Sequence, residues 1–217
     1  TGLHPSEALF LDIGSNLGTF SMAMAALGYR AIAFEAMPIN QKAIKHSACA
    51  NNFQSHLHVI ESGVGRDQVD CQIYVVSNNA QNGIVSCNGV APLAGCVKVD
   101  DIKVNIKVTL DNLLGDSLRL LRGKVGVVKI DVEGFEPWVI DGGRKFFSSA
   151  SPAYIVTEIN SGTLSKISNY TGMEYIRKVC LAFHHRPTER RYSFIPPHFR
   201  TATPDRISRI FTIAGRV

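Results

Sequence analysis

"ALFLDIGSNLGTF", Ala8 to Phe20, sets the reading of the whole chain. The apolar run Leu9–Ile13 has the length of a buried strand and carries Asp12 near its end. Gly14 and Gly18 follow, four apart. An Ala- and Met-rich helical pattern, Thr19–Leu27, then runs to a stop at Gly28. This is a strand, a tight turn and a helix. In an open parallel sheet, ligands bind beyond the carboxyl ends of the strands. Asp12, Gly14, Ser15, Asn16 and Gly18 are therefore candidate cofactor-binding residues. Gly14 permits a sharp turn and close approach of a ligand, and Gly18 lets the start of the helix pack near the sheet.

The alternation continues outward from this stretch. Ala31–Phe34 is a second strand, ending at Glu35. Asn40–Ala50 is a helix, and Leu57–Ile60 is a third strand before Glu61-Ser62-Gly63. Strands and helices at this spacing imply a parallel sheet with right-handed crossovers. Gln72–Val76 reads as a strand. Ser77 to Gly95 is rich in Asn, Gly and Ser and is expected to be a long loop or hairpin covering the site. Lys107–Leu110 is a short strand, and Asp111 an N-cap for Asn112–Leu114. Val125–Ile130 is a strongly apolar strand ending at Asp131. A helix begins at Phe135–Ile140 and ends or kinks at Gly142-Gly143. Ala153–Thr157 is a fifth core strand ending near Glu158, and Ser168–Phe183 is a helix. Arg191–Ile195 and Ile207–Ile213 suggest an antiparallel hairpin at the sheet edge. No internal repeat or linker interrupts residues 1–217, so one domain is expected.

A dinucleotide site of the form G-x-G-x-x-G, started at Gly14, needs glycines where this chain has Asn16 and Thr19. A Walker loop needs Gly-Lys-Ser/Thr, which is absent. The pattern D-x-G-x-N-x-G is instead that of S-adenosylmethionine (SAM) sites, where a helix N-terminus faces a carboxylate rather than a phosphate. Glu35, ending the second strand, can accept hydrogen bonds from two ribose hydroxyls. Ala36, Gly63 and Val64, beyond the second and third strands, complete the cofactor-binding candidates.

"FLDIGSNLGTFS" followed by "AFEAMPIN", then "VTLDNLL", "VVKIDVEGFEPWVIDGG" and "YIVTEIN", resemble the ordered motifs of FkbM-type methyltransferases over roughly Ala8 to Asn160. The Asp131-Val132-Glu133-Gly134 block is the more specific part. Ala36 departs from the proline common in the family after the strand-end Glu. The resemblance implies an α/β, Rossmann-like class I methyltransferase fold. That is a three-layer sandwich around a seven-stranded, mostly parallel sheet with an antiparallel last strand. It also implies SAM as cofactor and O-methylation of a hydroxyl on a sugar or other small molecule.

Methyl transfer to a hydroxyl needs an aligned acceptor and a base. Asp131, Glu133 and Glu158, at or just beyond strand ends, are the catalytic candidates, Asp131 also facing the cofactor. Paired carboxylates raise one apparent pKa, which suits a base near neutrality. Glu133 and Glu136 can equally complement a helix N-terminus. Asp131 with Glu158 and Asn160 resembles the magnesium site of catechol-type O-methyltransferases. That site has its last two ligands adjacent, whereas Ile159 intervenes here, so a divalent metal is kept as a lesser expectation beside SAM and no metal ligand is assigned. His184, His185 and His198 are lesser base candidates. No Asp/Asn-Pro-Pro-Tyr/Phe motif is present, which argues against an adenine amine as acceptor.

With 217 residues, 45% apolar and 19% charged, the chain has the balance of a globular domain, and its apolar runs are too short to span a bilayer. The net charge of +5 lies wholly in residues 184–217, where seven arginines face only Glu189 and Asp205. That segment either completes the sheet edge with a solvated basic rim or contacts RNA or a protein partner. The alternative function is thus a non-catalytic or RNA-associated module in an assembly. Five cysteines without Cys-x-x-Cys spacing suggest reduced, mostly buried thiols, without zinc or disulfides. A soluble protein of a reducing compartment is the matching expectation, with any targeting segment absent from a chain that starts at Thr1.

Overall fold

The structure, a computed structural model, describes residues 7–76, 79–87, 92, 95–114, 124–183 and 208–214. Two sheets form its frame. The first contains β1 (Ala8–Ile13), β2 (Arg30–Phe34), β3 (Leu57–Ile60), β8 (Lys124–Ile130), β9 (Tyr154–Asn160) and β10 (Ser208–Ala214). Their spatial order is β10-β9-β8-β1-β2-β3. The five strands from β3 to β9 pair in parallel, and β10 runs antiparallel to β9. The expected sheet is therefore present with six strands among the described residues rather than seven. The proposed strand Arg191–Ile195 lies outside them, as do the three candidate histidines and six of the seven arginines of the basic segment.

Period-two alternation explains the layers. Along β1, Leu9, Leu11 and Ile13 join one core with Val128 and Ile130 of β8 and Ile155 of β9. Onto that face pack α3 (Glu136–Asp141), α4 (Arg144–Ala150) and α5 (Gly172–Phe183), through Val139, Phe146, Phe147, Tyr175 and Val179. Phe10, between them in sequence, faces the other way. It joins Ala25 of α1 (Thr19–Ala26) and Ile44 and Ala48 of α2 (Pro38–Ala50). The same alternation sends Asp12 and its register partner Lys129 to the α1 face.

The second sheet differs from expectation. Ser77–Gly95 was expected as a loop or hairpin; it contributes β6 (Asn79–Ser86), antiparallel to β5 (Val69–Val76). The strand expected at Lys107–Leu110 is the end of a 13-residue strand, β7 (Cys96–Val108). With β4 (Gly63–Val64) these make a sheet of order β4-β7-β5-β6. It packs against the first sheet's side of the molecule through Cys71, Ile106 and Phe135, with Trp138 edge-on to Phe135 at 4.2 Å. The expected cap is also reassigned. Thr109 Oγ1, not Asp111, accepts the Asn112 N–H, while Asp111 accepts from Phe146 N at the start of α4.

Cys71 and Cys87 form a disulfide, which overturns the expectation that all five thiols are reduced. The polar, turn-rich sequence between them conceals a hairpin, and pairing of β5 with β6 brings the two cysteines together. A reducing compartment loses its support, since such bonds persist mainly in oxidising surroundings. Cys49, Cys96 and Cys180 remain free. Among the described residues, no helix is long and apolar enough to cross a membrane.

Candidate functional site

A cavity of about 460 Å³ opens at the carboxyl ends of β1, β2, β8 and β9, and the second sheet covers it with Gly83, Val85 and Ile106. The loop after β1 forms one wall. Gly14 has φ +78°, and a Cβ there would lie 1.9 Å from the Asp131 carbonyl oxygen. Only glycine lets the two strand ends come this close. Gly14 N and Ser15 N both donate to Phe34 O at 3.0 Å, and Asp131 N donates to Ile13 O at 3.0 Å. The loop is thereby bonded to both neighbouring strands.

Glu35 is buried at the cavity's edge. Its Oε2 accepts from Asn16 N at 2.7 Å and its Oε1 from Met37 N at 2.8 Å. Burial pushes its pKa up, while these backbone donors pull it down. Each oxygen retains acceptor capacity toward a ligand hydroxyl. Gln41 Nε2 donates to the Glu35 and Ala36 carbonyls, fixing the turn that carries the carboxylate. Asn40 donates to Asn16 Oδ1 and also lines the cavity.

Of the cofactor-binding candidates, Gly14, Ser15, Asn16, Glu35, Ala36, Gly63, Val64 and Asp131 line the cavity. Asp12 and Gly18 stand behind it. Asp12 is fully buried, and its Oδ2 accepts from Ser21 N and Ser21 Oγ, capping the first turn of α1 from the neighbouring strand. Its Oδ1 faces Lys129 Nζ at 3.2 Å. Gly18, at φ +79°, abuts Ile44 of α2.

The opposite end of the cavity is acidic. Asp131, Glu133 and Glu158 bring carboxylate oxygens within 4.8 Å of one another. Burial and then the adjacent Asp131 carboxylate push Glu158 up to about 7. Glu133 has φ +54°, a left-handed conformation that costs a non-glycine residue on the order of 1–2 kcal/mol. Glu136 offsets this. Its Oε1 accepts from Val132 N and Gly134 N, the amides on either side of Glu133. Burial raises Glu136 itself to about 7. Asn160 does not join this cluster. Its Oδ1 accepts from Gly162 N and Thr163 N, capping the turn that follows β9. Glu133 lines the cavity beside Asp131 and Glu158.

Lys129 is the site residue that sequence reasoning left out. It is 8% exposed and touches Asp12, Asp131 at 3.4 Å and the Gly14 carbonyl at 2.9 Å. Its Nζ also lies 5.5 Å from the Phe20 ring centre. The available signal was a single lysine within the apolar run Val125–Ile130, one residue before its end.

The solved structures most like this chain include two crystal forms of the METTL16 MTase domain. They share 10% identity, with TM-scores of 0.50 and 0.51 over 97% of this chain. The chain spans only 59% and 60% of those chains. A fibrillarin pre-rRNA processing protein of Methanococcus jannaschii follows at 10% identity and TM-score 0.49, over 98% of this chain and 69% of that one. No curated protein sequence matches. The sheet order and the likeness to the two METTL16 MTase domain structures give the fold of the class I methyltransferases. Residues 12–191 match the methyltransferase FkbM domain, and the chain belongs to that family.

Proposed function

We propose that residues 1–217 act as one SAM-dependent methyltransferase domain that methylates a hydroxyl of a sugar or other small molecule. The observation that carries this reading is a single cavity with Glu35 at one end and Asp131, Glu133 and Glu158 at the other. The donor set suits the cofactor. Glu35 offers two oxygens to a pair of ribose hydroxyls. Phe34, Ala36 and Val64 offer apolar walls for a base, and the loop after β1 brings backbone close to the ligand. When bound, SAM supplies an electrophilic methyl group.

The chain's residues do the rest. The walls hold the two reactants in line and exclude water, which can supply roughly 7–11 kcal/mol of barrier reduction. Glu158, poised near neutrality beside Asp131, can take the hydroxyl proton, and Glu133 borders the same space. Glu136 holds the turn presenting Glu133, and Lys129 ties that turn's strand to the cofactor loop. The RNA-associated alternative rests on seven arginines, six of which lie outside the described residues, and the cavity's carboxylates do not favour a polyanion.

Calorimetry tests the reading. The protein should bind SAM, and Glu35→Ala should weaken binding about 100-fold, as loss of two hydrogen bonds to a charged acceptor implies. A folded protein that binds neither SAM nor S-adenosylhomocysteine (SAH) would falsify it.

A further inference from the structure

Four carboxylates line the cavity: Glu35, Asp131, Glu133 and Glu158. Among the described residues lining it, Lys129 is the one cation. That ammonium is shared. It lies 3.2 Å from Asp12, which stands behind the loop, 2.9 Å from the Gly14 carbonyl and 3.4 Å from Asp131. Asp12 and Asp131 share this one ammonium, so it offsets the cavity's acids only in part. Glu35 sits apart, its two oxygens held by the Asn16 and Met37 amides. The remaining three acids converge on one spot, with oxygens within 4.8 Å of each other. Like charges this close favour any cation placed among them, and partial burial keeps solvent from screening the attraction fully.

We propose that Asp131, Glu133 and Glu158 make this cavity select a cationic sulfonium over the neutral thioether left after methyl transfer. The proposal rests on the SAM reading above and goes beyond it, because many sites could bind both forms equally. The charge balance explains its use. As the new O–CH₃ bond forms, the S–CH₃ bond breaks and its electron pair stays on sulfur, which becomes neutral. The hydroxyl proton passes to a carboxylate of the cluster. The site thus loses its cation and one of its negative charges in the same event. Its hold on the spent cofactor falls when release is needed.

Three ligands separate charge from shape: SAM, SAH, and sinefungin, which carries an ammonium in place of the sulfonium. Calorimetric titrations at pH 8 and low salt should show SAM and sinefungin binding at least about tenfold tighter than SAH. High salt should narrow that gap. Glu133→Gln combined with Glu158→Gln should shrink it below about threefold, mainly by weakening the two cationic ligands. Thermal unfolding checks that the variants are folded, and Glu158→Gln alone decides the matter if the double variant is not. Equal binding of SAM and SAH by the wild type, or an unchanged gap in a folded variant, overturns the proposal and leaves the cofactor reading standing. Failure of all three ligands to bind overturns the cofactor reading itself.

Discussion

Glu158 is the residue whose ionisation should be most visible in solution. Asp131, Glu133 and Glu136 face it as carboxylates, and Lys129 reaches the cluster through Asp131. Its folded pKa of about 7 stands above the ordinary 4.5. The folded state therefore binds the extra proton between those values. Stability from this source is fully present below about 4.5 and is lost as pH rises through about 7. Urea unfolding at pH 5 and pH 8 should show a larger loss for the wild type than for Glu158→Gln, while an identical loss in both would count against the assignment. Turnover should show the opposite trend, rising through about pH 7 as the base is freed. The acids at strand ends could be read from the sequence because each closes an apolar run. Lys129 could not, because a lysine in a strand announces nothing until its neighbours are known. Here Asp12 lies opposite it in register on β1. A strand-end Asp can be read from the sequence as a helix cap, and Asp12 acts as one, but its partner could not be named there, because Ser21 lies nine residues on across the turn.

Among the elements, the β5–β6 hairpin realises one of the two forms expected there, and the Cys71–Cys87 disulfide is the feature that departs from expectation. A bridge closing a loop of this length is worth about 3 kcal/mol through restriction of the unfolded chain. Cys87→Ser should lower the thermal midpoint accordingly, and non-reducing peptide mapping should recover the Cys71–Cys87 pair from the wild type. A thiol count showing both cysteines free would remove the bridge from the account. The parallel strands were legible because each is a short apolar run with a helix between it and the next. Gln72–Val76, within β5, was legible as a strand too, whereas Asn79–Ser86 offered no such contrast. Asn and Gly in β6 imitate a loop. Gly83 has its own reason to be glycine, since a Cβ there would lie 2.4 Å from Met37 Sδ.

At the scale of the molecule, the cavity belongs to both sheets. Its floor is the strand-end loops of the first sheet, and its cover is Gly83, Val85 and Ile106 of the second. Ligand binding should therefore protect amides of both. Hydrogen exchange with saturating SAM should slow at residues 14–18 and at 83–85 together, and the thermal midpoint should rise. A ligand at 100 times its Kd adds about 2.7 kcal/mol. Protection confined to the first sheet would mean that the cover plays no part. The order of the parallel strands followed from their alternation with helices. The relation of the second sheet to the first did not, because it depends on contacts such as Cys71–Ile106–Phe135 between segments distant in sequence.

The left-handed backbone at Glu133 has an implication for which sequences this fold can tolerate. Glycine there would relieve the backbone cost, on the order of 1 kcal/mol, and Asn part of it. A library randomised at position 133 and sorted for folding alone should enrich Gly and Asn. The same library sorted for methyl transfer should return Glu. If both sorts converge on the same residues, the carboxylate is there for architecture. If they diverge, position 133 marks a point where folding and chemistry select against each other.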